Sequence, residues 1–338
     1  MGNVYPHTIR NFEYNGPLKE PIIGLVSEKR RLGNLYNAPA QILREFDAFT
    51  IHEKCPVNNL TREVVQKWNI KRPTNSIKTH YARYHAVKQL GEYMIRLGYP
   101  AYIAPNLPDK NFKEAEFIPY IFSNDELKRF FAAVDNTKSD KHSVHQNLSY
   151  PLLFRLLYSC GLRLNEALCL KISDVRLNDG VLSIKGTKFD KDRLVPMPKS
   201  LTKRFADYLS QVHSFSSADA YVFSSPKGGI YCHSAVYAKY RGYLRRAGIS
   251  YGGRHYGPRI HDFRHTFAIH CLIKWIKQGK EIDNTLPYLS AYMGHVNTQA
   301  THTYLKLTSQ LFPEIIQQTE NQFPDIIPKL EDRLNEES

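Results

Sequence analysis

Residues 105–110, Pro-Asn-Leu-Pro-Asp-Lys, separate two stretches whose apolar side chains recur at helical spacing. Two prolines so close together continue neither a helix nor the interior of a sheet, so the chain is expected to divide there. A chain of 338 residues, 42% of them hydrophobic, can bury a core on each side of such a break. Before it, Ile42, Leu43, Phe46 and Phe49 share one helical face. Thr61 can cap a second helix, with Leu60 and Val65 at the spacing of a hydrophobic staple. A third helix is predicted over residues 76–97, its stripe formed by Ile77, Tyr81, Tyr84, Leu90, Met94 and Leu97. Lys78, Arg83 and Lys88 fall largely on other faces and are candidates to meet phosphates, although a solvated basic face on an ordinary bundle gives the same pattern. Residues 1–37 mix Pro, Gly, Asn and Tyr without a period and are read as an extended arm of little independent structure, bearing Lys29-Arg30-Arg31.

After the break, Ser123-Asn124-Asp125-Glu126 has capping-box spacing ahead of Leu127, Phe130, Phe131 and Val134, which starts a second domain with a helix. A polar loop over residues 136–147 and an apolar helix over residues 148–158 follow. Residues 181–185 and 193–195 alternate as short strands joined by a polar tip, a small hairpin in an otherwise helical pattern. Further helices are expected from residue 201 to about 311, one of them opening at His261.

The charge balance bears on the partner. Lys and Arg number 46 against 32 Asp and Glu, a formal net charge of +14. Residues 319–338 hold six acids and two bases, so the remainder carries (46 − 2) − (32 − 6) = +18. Such a body favours a polyanionic partner. The five cysteines are scattered and mostly set in apolar segments, as reduced thiols of a cytoplasmic protein would be. No run is long and apolar enough to span a bilayer, so no membrane role is expected.

Three clusters carry chemistry. Gly161-Leu162-Arg163-Leu164-Asn165-Glu166 sets an Arg between one helix end and the next helix start, where a guanidinium can grip phosphate oxygens. Alone, the commoner use of such an Arg is an ion pair with Glu166 or Asp174. His261-Asp262-Phe263-Arg264-His265 puts an imidazole and a permanent cation at i and i+3, both able to reach one anion, while His265 reads as structural. Gly294-His295 follows an apolar helix containing Leu286, Leu289 and Met293, with Gly as the natural stop, and Tyr304 comes nine residues after His295.

In this order, with the hairpin between the first and second clusters, residues 118–312 resemble the catalytic domain of the tyrosine recombinases, the phage integrase family. The family's order is Gly-Leu-Arg-x-x-Glu, a hairpin Lys, His-x-x-Arg, Gly-His and a nucleophilic Tyr. Its counterparts here are Arg163, Lys188, His261, Arg264, His295 and Tyr304. Lys188 stands eight residues before Pro196, as in the family pattern Lys-Gly-x-Lys-x-Arg-x-Val-Pro, with Phe189 in place of a Gly and Lys185 and Lys191 as competitors. The resemblance implies a mainly α fold with a small β-hairpin, in two domains. Residues 38–104 would be a helical core-binding domain that closes around DNA, 105–117 a linker, 118–312 the α+β catalytic domain, and 313–338 a tail suited to contact between subunits.

It also implies that Arg163 and Arg264 clamp the phosphate, His261 accepts the Tyr304 proton, Lys188 protonates the departing 5′ oxygen and His295 hydrogen-bonds the phosphate. The product would be a 3′-phosphotyrosyl link, in a homotetramer on two double-stranded DNA sites, at the nucleoid when bound. No metal or nucleotide cofactor is called for. The sequence offers no paired Cys spacing, no His-Glu-x-x-His and no Gly-Lys-Ser/Thr loop. A type IB topoisomerase and a non-catalytic DNA-binding accessory protein are the rival readings.

Overall fold

The computed structural model describes residues 9–105, 118–139, 143–185, 192–225, 228–253, 257–294 and 304. The chain forms two compact units, residues 4–114 and the stretch from residue 115 onward. It is mostly helical with one small three-stranded sheet. No helix among the described residues is long and apolar enough to cross a membrane.

The first unit contains α1 (Lys19–Arg31), α2 (Asn37–His52), α3 (Arg62–Trp68) and α4 (Ile77–Arg96). Thr61 caps α3 by accepting the Val64 N–H at 3.4 Å, and Ser76 caps α4 by accepting that of Thr79 at 3.1 Å. Leu60 and Val65 are both buried, which closes the staple around the first cap. Leu43, Phe46, Trp68, Leu90 and Met94 fill the core.

One expectation fails in this unit. Residues 9–37 are no extended arm, because α1 lies within them and, with Leu18 just before it, buries Ile22, Leu25 and Val26 in the same core. These residues recur at i, i+4, i+7 and i+8, a helical period that Pro17, Pro21 and Gly24 disguise. Pro21 sits in the first turn, where no intrahelical N–H bond is needed. The preceding chain is fastened by the buried Asp47 carboxylate, which accepts the N–H groups of Asn15 at 2.7 Å and Gly16 at 3.0 Å. Lys29, Arg30 and Arg31 form the last turn of α1, where cations meet the negative end of the helix dipole.

The second unit opens with α5 (Asn124–Asp135), begun by a capping box in which Glu126 Oε2 accepts the Ser123 N–H at 2.9 Å and Ser123 Oγ accepts the Glu126 N–H at 3.2 Å. Then come α6 (Gln146–Ser159), α7 (Leu164–Leu168) and a 3₁₀ turn at Ile172–Asp174. The strands β1 (Val175–Arg176), β2 (Val181–Ile184) and β3 (Arg193–Pro196) pair antiparallel in sequence order, with Val175 opposite Leu182 and Leu182 opposite Val195. The expected hairpin is thus the β2–β3 pair, and the two-residue β1 adds a third strand. Among the described residues that follow are the helices α8 (Lys199–Val212), α9 (His233–Arg246), α10 (Asp262–Lys277) and α11 (Ile282–Met293).

An aromatic cluster of Phe122, Phe130, Phe154, Tyr240, Tyr243 and Phe263 lies at the centre of this unit. The Phe122 and Phe263 rings stack at 4.8 Å with 8° between their planes. Phe263 stands between Asp262 and Arg264, so its burial fixes the first turn of α10 and with it the direction of Arg264. A separate apolar layer joins α10 to α11 through Ile269, Leu272, Leu286, Leu289 and Met293, and Tyr304 belongs to it.

Candidate active site

Arg163 occupies the position just before α7, in extended backbone, after Gly161 has turned the chain with φ of 58°. Its side chain divides its donors: Nη1 donates to Glu166 Oε1 at 2.7 Å and Nη2 to the Gly294 carbonyl at 3.4 Å. The Glu166 pair is the structural use that the sequence allowed, and it leaves the Arg163 side chain one-third exposed. Arg264 is almost wholly buried on α10. It donates to the Gly161 carbonyl at 2.6 Å, to the Met293 carbonyl, and to Tyr304. Burial pushes its pKa down to about 10, helped by Arg163 and opposed by Glu166 and Tyr304, which leaves it charged at neutral pH.

Tyr304 is buried, at 4% exposure, in the α10–α11 layer. Burial raises its pKa above the ordinary tyrosine value, while the Arg264 and Arg163 charges and the Arg264 hydrogen bond pull it back. Its ring centroid lies 5.5 Å from that of His265, which in turn lies 4.9 Å from that of His261. His261 precedes α10 and keeps a water-exposed surface within a crowded setting. Loss of solvation, then the neighbouring His265, Arg264 and Arg259 side chains, push its pKa down to about 4 against the pull of Asp262. It is a neutral imidazole at physiological pH, able to accept a proton.

Arg163, His261, Arg264 and Tyr304 therefore share one neighbourhood. Lys188 and His295 lie outside the described residues. Of the rivals to Lys188, Lys185 donates to Asp174 Oδ1 at 2.6 Å, which raises its pKa and makes it a poorer acid, and Lys191 also lies outside the described residues. The rival tyrosines differ from Tyr304. Tyr288 is largely exposed, and the Tyr292 hydroxyl donates to the Pro196 carbonyl at 3.1 Å.

The three candidate DNA contacts of the first unit part company. Lys78 is exposed, and Lys88 lies 4.0 Å from Glu92 on the same helix. Arg83 is buried, with its guanidinium 3.5 Å from the Trp68 ring centroid and 3.5 Å from Glu45 Oε2. Its reading as a solvent-facing phosphate contact is corrected: the ring takes up a cation whose stem also fills the core.

Sequence reasoning gave Arg193 no role, although the family pattern Lys-Gly-x-Lys-x-Arg-x-Val-Pro has an Arg at its place. Arg193 opens β3 with a side chain only 9% exposed, gripping Glu166 with both Nη atoms, at 3.1 and 2.8 Å, and donating from Nε to the Tyr292 carbonyl at 2.9 Å. Burial alone would raise the Glu166 carboxyl, but Arg193, Arg163 and Arg264 together hold it at about 2. The signal was a reversed alternation. Arg193 shares the inward face with buried Val195, while the apolar Leu194 between them is exposed.

A helical fold with one small sheet and this set of basic groups around a buried tyrosine defines the class, and the protein is a tyrosine recombinase. Residues 121–310 match the model of the phage integrase family, and the chain belongs to that family. It is 31% identical over 307 residues to a putative integrase/recombinase y4rB of Sinorhizobium fredii, a match covering 89% of this chain and 96% of that one. It is 26% identical to the tyrosine recombinase XerC of Chlamydia pneumoniae over 90% of both chains. Among solved structures it resembles the Tn1549 transposon integrase in complex with a circular intermediate DNA. That likeness has a TM-score of 0.58 and 16% identity, covers 84% of this chain and 94% of the integrase chain, and concerns the fold.

Proposed function

We propose that the protein binds double-stranded DNA and, as a site-specific recombinase or integrase, cuts and rejoins its strands through Tyr304, in the service of a mobile genetic element. The observation that carries the reading is the Arg264 guanidinium, held by two backbone carbonyls and hydrogen-bonded to Tyr304, with Arg163 on the adjacent carbonyl. A tyrosine hydroxyl beside two fixed guanidinium groups suits attack on a phosphodiester, whose growing transition-state charge needs preorganised donors. The Tyr304 oxygen would bond to phosphorus as the bond to the 5′ oxygen breaks. His261 takes the phenolic proton and Lys188 supplies one to the departing oxygen. His295 adds a hydrogen bond to the phosphate, and attack by a second 5′-hydroxyl on the phosphotyrosyl link completes the exchange.

Residues 38–104 serve as the DNA-binding unit, with Lys78 and Lys88 on the phosphates, 105–117 as the linker and 118–312 as the catalytic domain. The apolar tail, residues 313–338, lies outside the described residues and is assigned to contacts between subunits of a tetramer. The transposon integrase bound to DNA supports both the partner and the mobile-element role.

A nicked suicide duplex tests the reading. Wild-type protein should form a covalent adduct on it and Tyr304→Phe should form none while still binding. An adduct from Tyr304→Phe would move the nucleophile elsewhere, and no adduct from either would leave a DNA-binding accessory protein. Exchange between two duplexes separates a recombinase from a type IB topoisomerase.

A further inference from the structure

At the end of α11, three successive carbonyls are taken by three arginines from three other segments. Tyr292 O accepts from Arg193 on β3, Met293 O from Arg264 on α10, and Gly294 O from Arg163 before α7. These are the groups a helix C-terminus leaves without intrahelical partners, at the negative end of its dipole. Two of the arginines belong to the proposed phosphate clamp. Arg193 does not, yet it is the most enclosed partner of Glu166. Gly294 makes room for it: its backbone is left-handed, with φ of 67°, and a Cβ there would stand 2.9 Å from Arg193 Nη1.

We propose that Arg193 is a positioning residue that holds the Arg163 guanidinium in its phosphate-facing pose by occupying the Glu166 carboxylate. The inference rests on the reading of Arg163 as a phosphate clamp. Both Glu166 oxygens are engaged by Arg193, so Arg163 obtains a single side-chain bond to Oε1, besides its backbone N–H on Oε2 at 2.9 Å. Its Nη2 is left to span toward Gly294. Without Arg193, the enclosed carboxylate would keep one hydrogen-bonded guanidinium, that of Arg163, with Arg264 acting only through its charge. A planar guanidinium facing a free carboxylate pairs through two parallel bonds. Arg163 would turn toward Glu166 and away from the phosphate.

The test is a cycle of variants in the full-length chain, read as single-turnover cleavage of a nicked duplex at saturating protein beside DNA affinity and thermal melting. Arg193→Gln should slow cleavage by roughly ten- to a hundredfold, the scale of an ångström-sized misplacement of a clamping group, with affinity within a few fold of wild type. Adding Glu166→Gln removes the competing charge, so the double variant should cleave several fold faster than Arg193→Gln alone. A structural role predicts the reverse, since a second lost contact adds to the first. Arg193→Lys, which keeps the charge and one bond, should fall between wild type and Arg193→Gln and covers the case in which Gln fails to fold. A double variant no faster than Arg193→Gln, or equal rates for wild type, Lys and Gln, would overturn the proposal. Arg163→Ala reports separately: wild-type cleavage from that variant would sink the clamp reading itself, whatever Arg193 does.

Discussion

Tyr304 and Arg264 are each penalised by burial in the form that chemistry needs, and each relieves the other. Burial favours the neutral phenol and disfavours the guanidinium, whereas the pair favours phenolate and cation together. The relief depends on the planar fork of Arg264, which reaches Gly161, Met293 and Tyr304 at once. A lysine has one nitrogen and cannot do this. Arg264→Lys should therefore reduce adduct formation by about a hundredfold or more, the scale of one lost transition-state donor, with DNA affinity nearly kept. A rate within a few fold of wild type would show that charge alone suffices there. His261 gives a pH prediction. Its pKa of about 4 lies below the ordinary 6.5, so the unfolded chain binds the proton more readily and stability falls as pH drops from 6.5 toward 4. As the proton acceptor it stays unprotonated until the pH nears 4, and wild-type cleavage should hold its rate at pH 6, where an unperturbed histidine would be mostly protonated. A rate that halves near pH 6.5 would return His261 to an ordinary, solvated imidazole. In the first unit, Lys78→Ala should lower the salt dependence of DNA binding by roughly one counterion without altering the melting temperature. Arg83→Ala should do the opposite, losing stability through its Trp68 and Glu45 contacts while leaving the salt slope alone.

The turn between α6 and α7 shows how an element carries the site. Gly161 adopts φ of 58°, and a Cβ there would lie 2.6 Å from the Phe267 ring, so another residue would be strained in its backbone and would have to displace that ring. The same residue presents the carbonyl that holds Arg264. Gly161→Ala should destabilise the fold by about 1–3 kcal/mol, measured by denaturant unfolding, and slow cleavage beyond what stability explains. A variant with wild-type stability would mean that the turn can relax. The elements legible in the sequence were those whose periodicity and caps agree: α4 begins at its Ser76 cap, α5 at its capping box, and the stop at Gly294 falls where α11 ends. What stayed hidden has physical reasons. The period of α1 is masked by residues that usually break helices, and β1 is two residues long, too short to alternate. Arg83 and Arg193 are cations in the interior, and their carboxylate partners, Glu45 and Glu166, lie far away in sequence. The family resemblance singles out Arg163, His261, Arg264 and Tyr304 as candidates, but only the fold reveals that the two arginines are already committed to carbonyls.

Each unit closes its own core: Leu43, Phe46, Trp68 and Leu90 in one, Phe122, Phe130, Phe154 and Phe263 in the other. Among the described residues, each cluster draws its members from one unit. Their charge is shared just as evenly. Residues 1–114 hold 17 Lys and Arg against 10 Asp and Glu, and residues 115–338 hold 29 against 22, an excess of +7 in each. A chain built this way should come apart into pieces that fold separately and hold DNA weakly. The fragment from residue 118 onward is expected to melt in a single cooperative transition, because its aromatic cluster and its α10–α11 layer are intact. Its DNA binding should be weaker and less sensitive to salt than that of the full chain, since each phosphate no longer neutralised lowers the slope of log K against log salt by about 0.9. Titrations of both proteins on one duplex at several salt concentrations provide the measurement. A fragment that melts cooperatively yet keeps the full-length slope would confine the DNA footprint to the second unit, and a fragment with no cooperative transition would mean that its core needs the first unit to form.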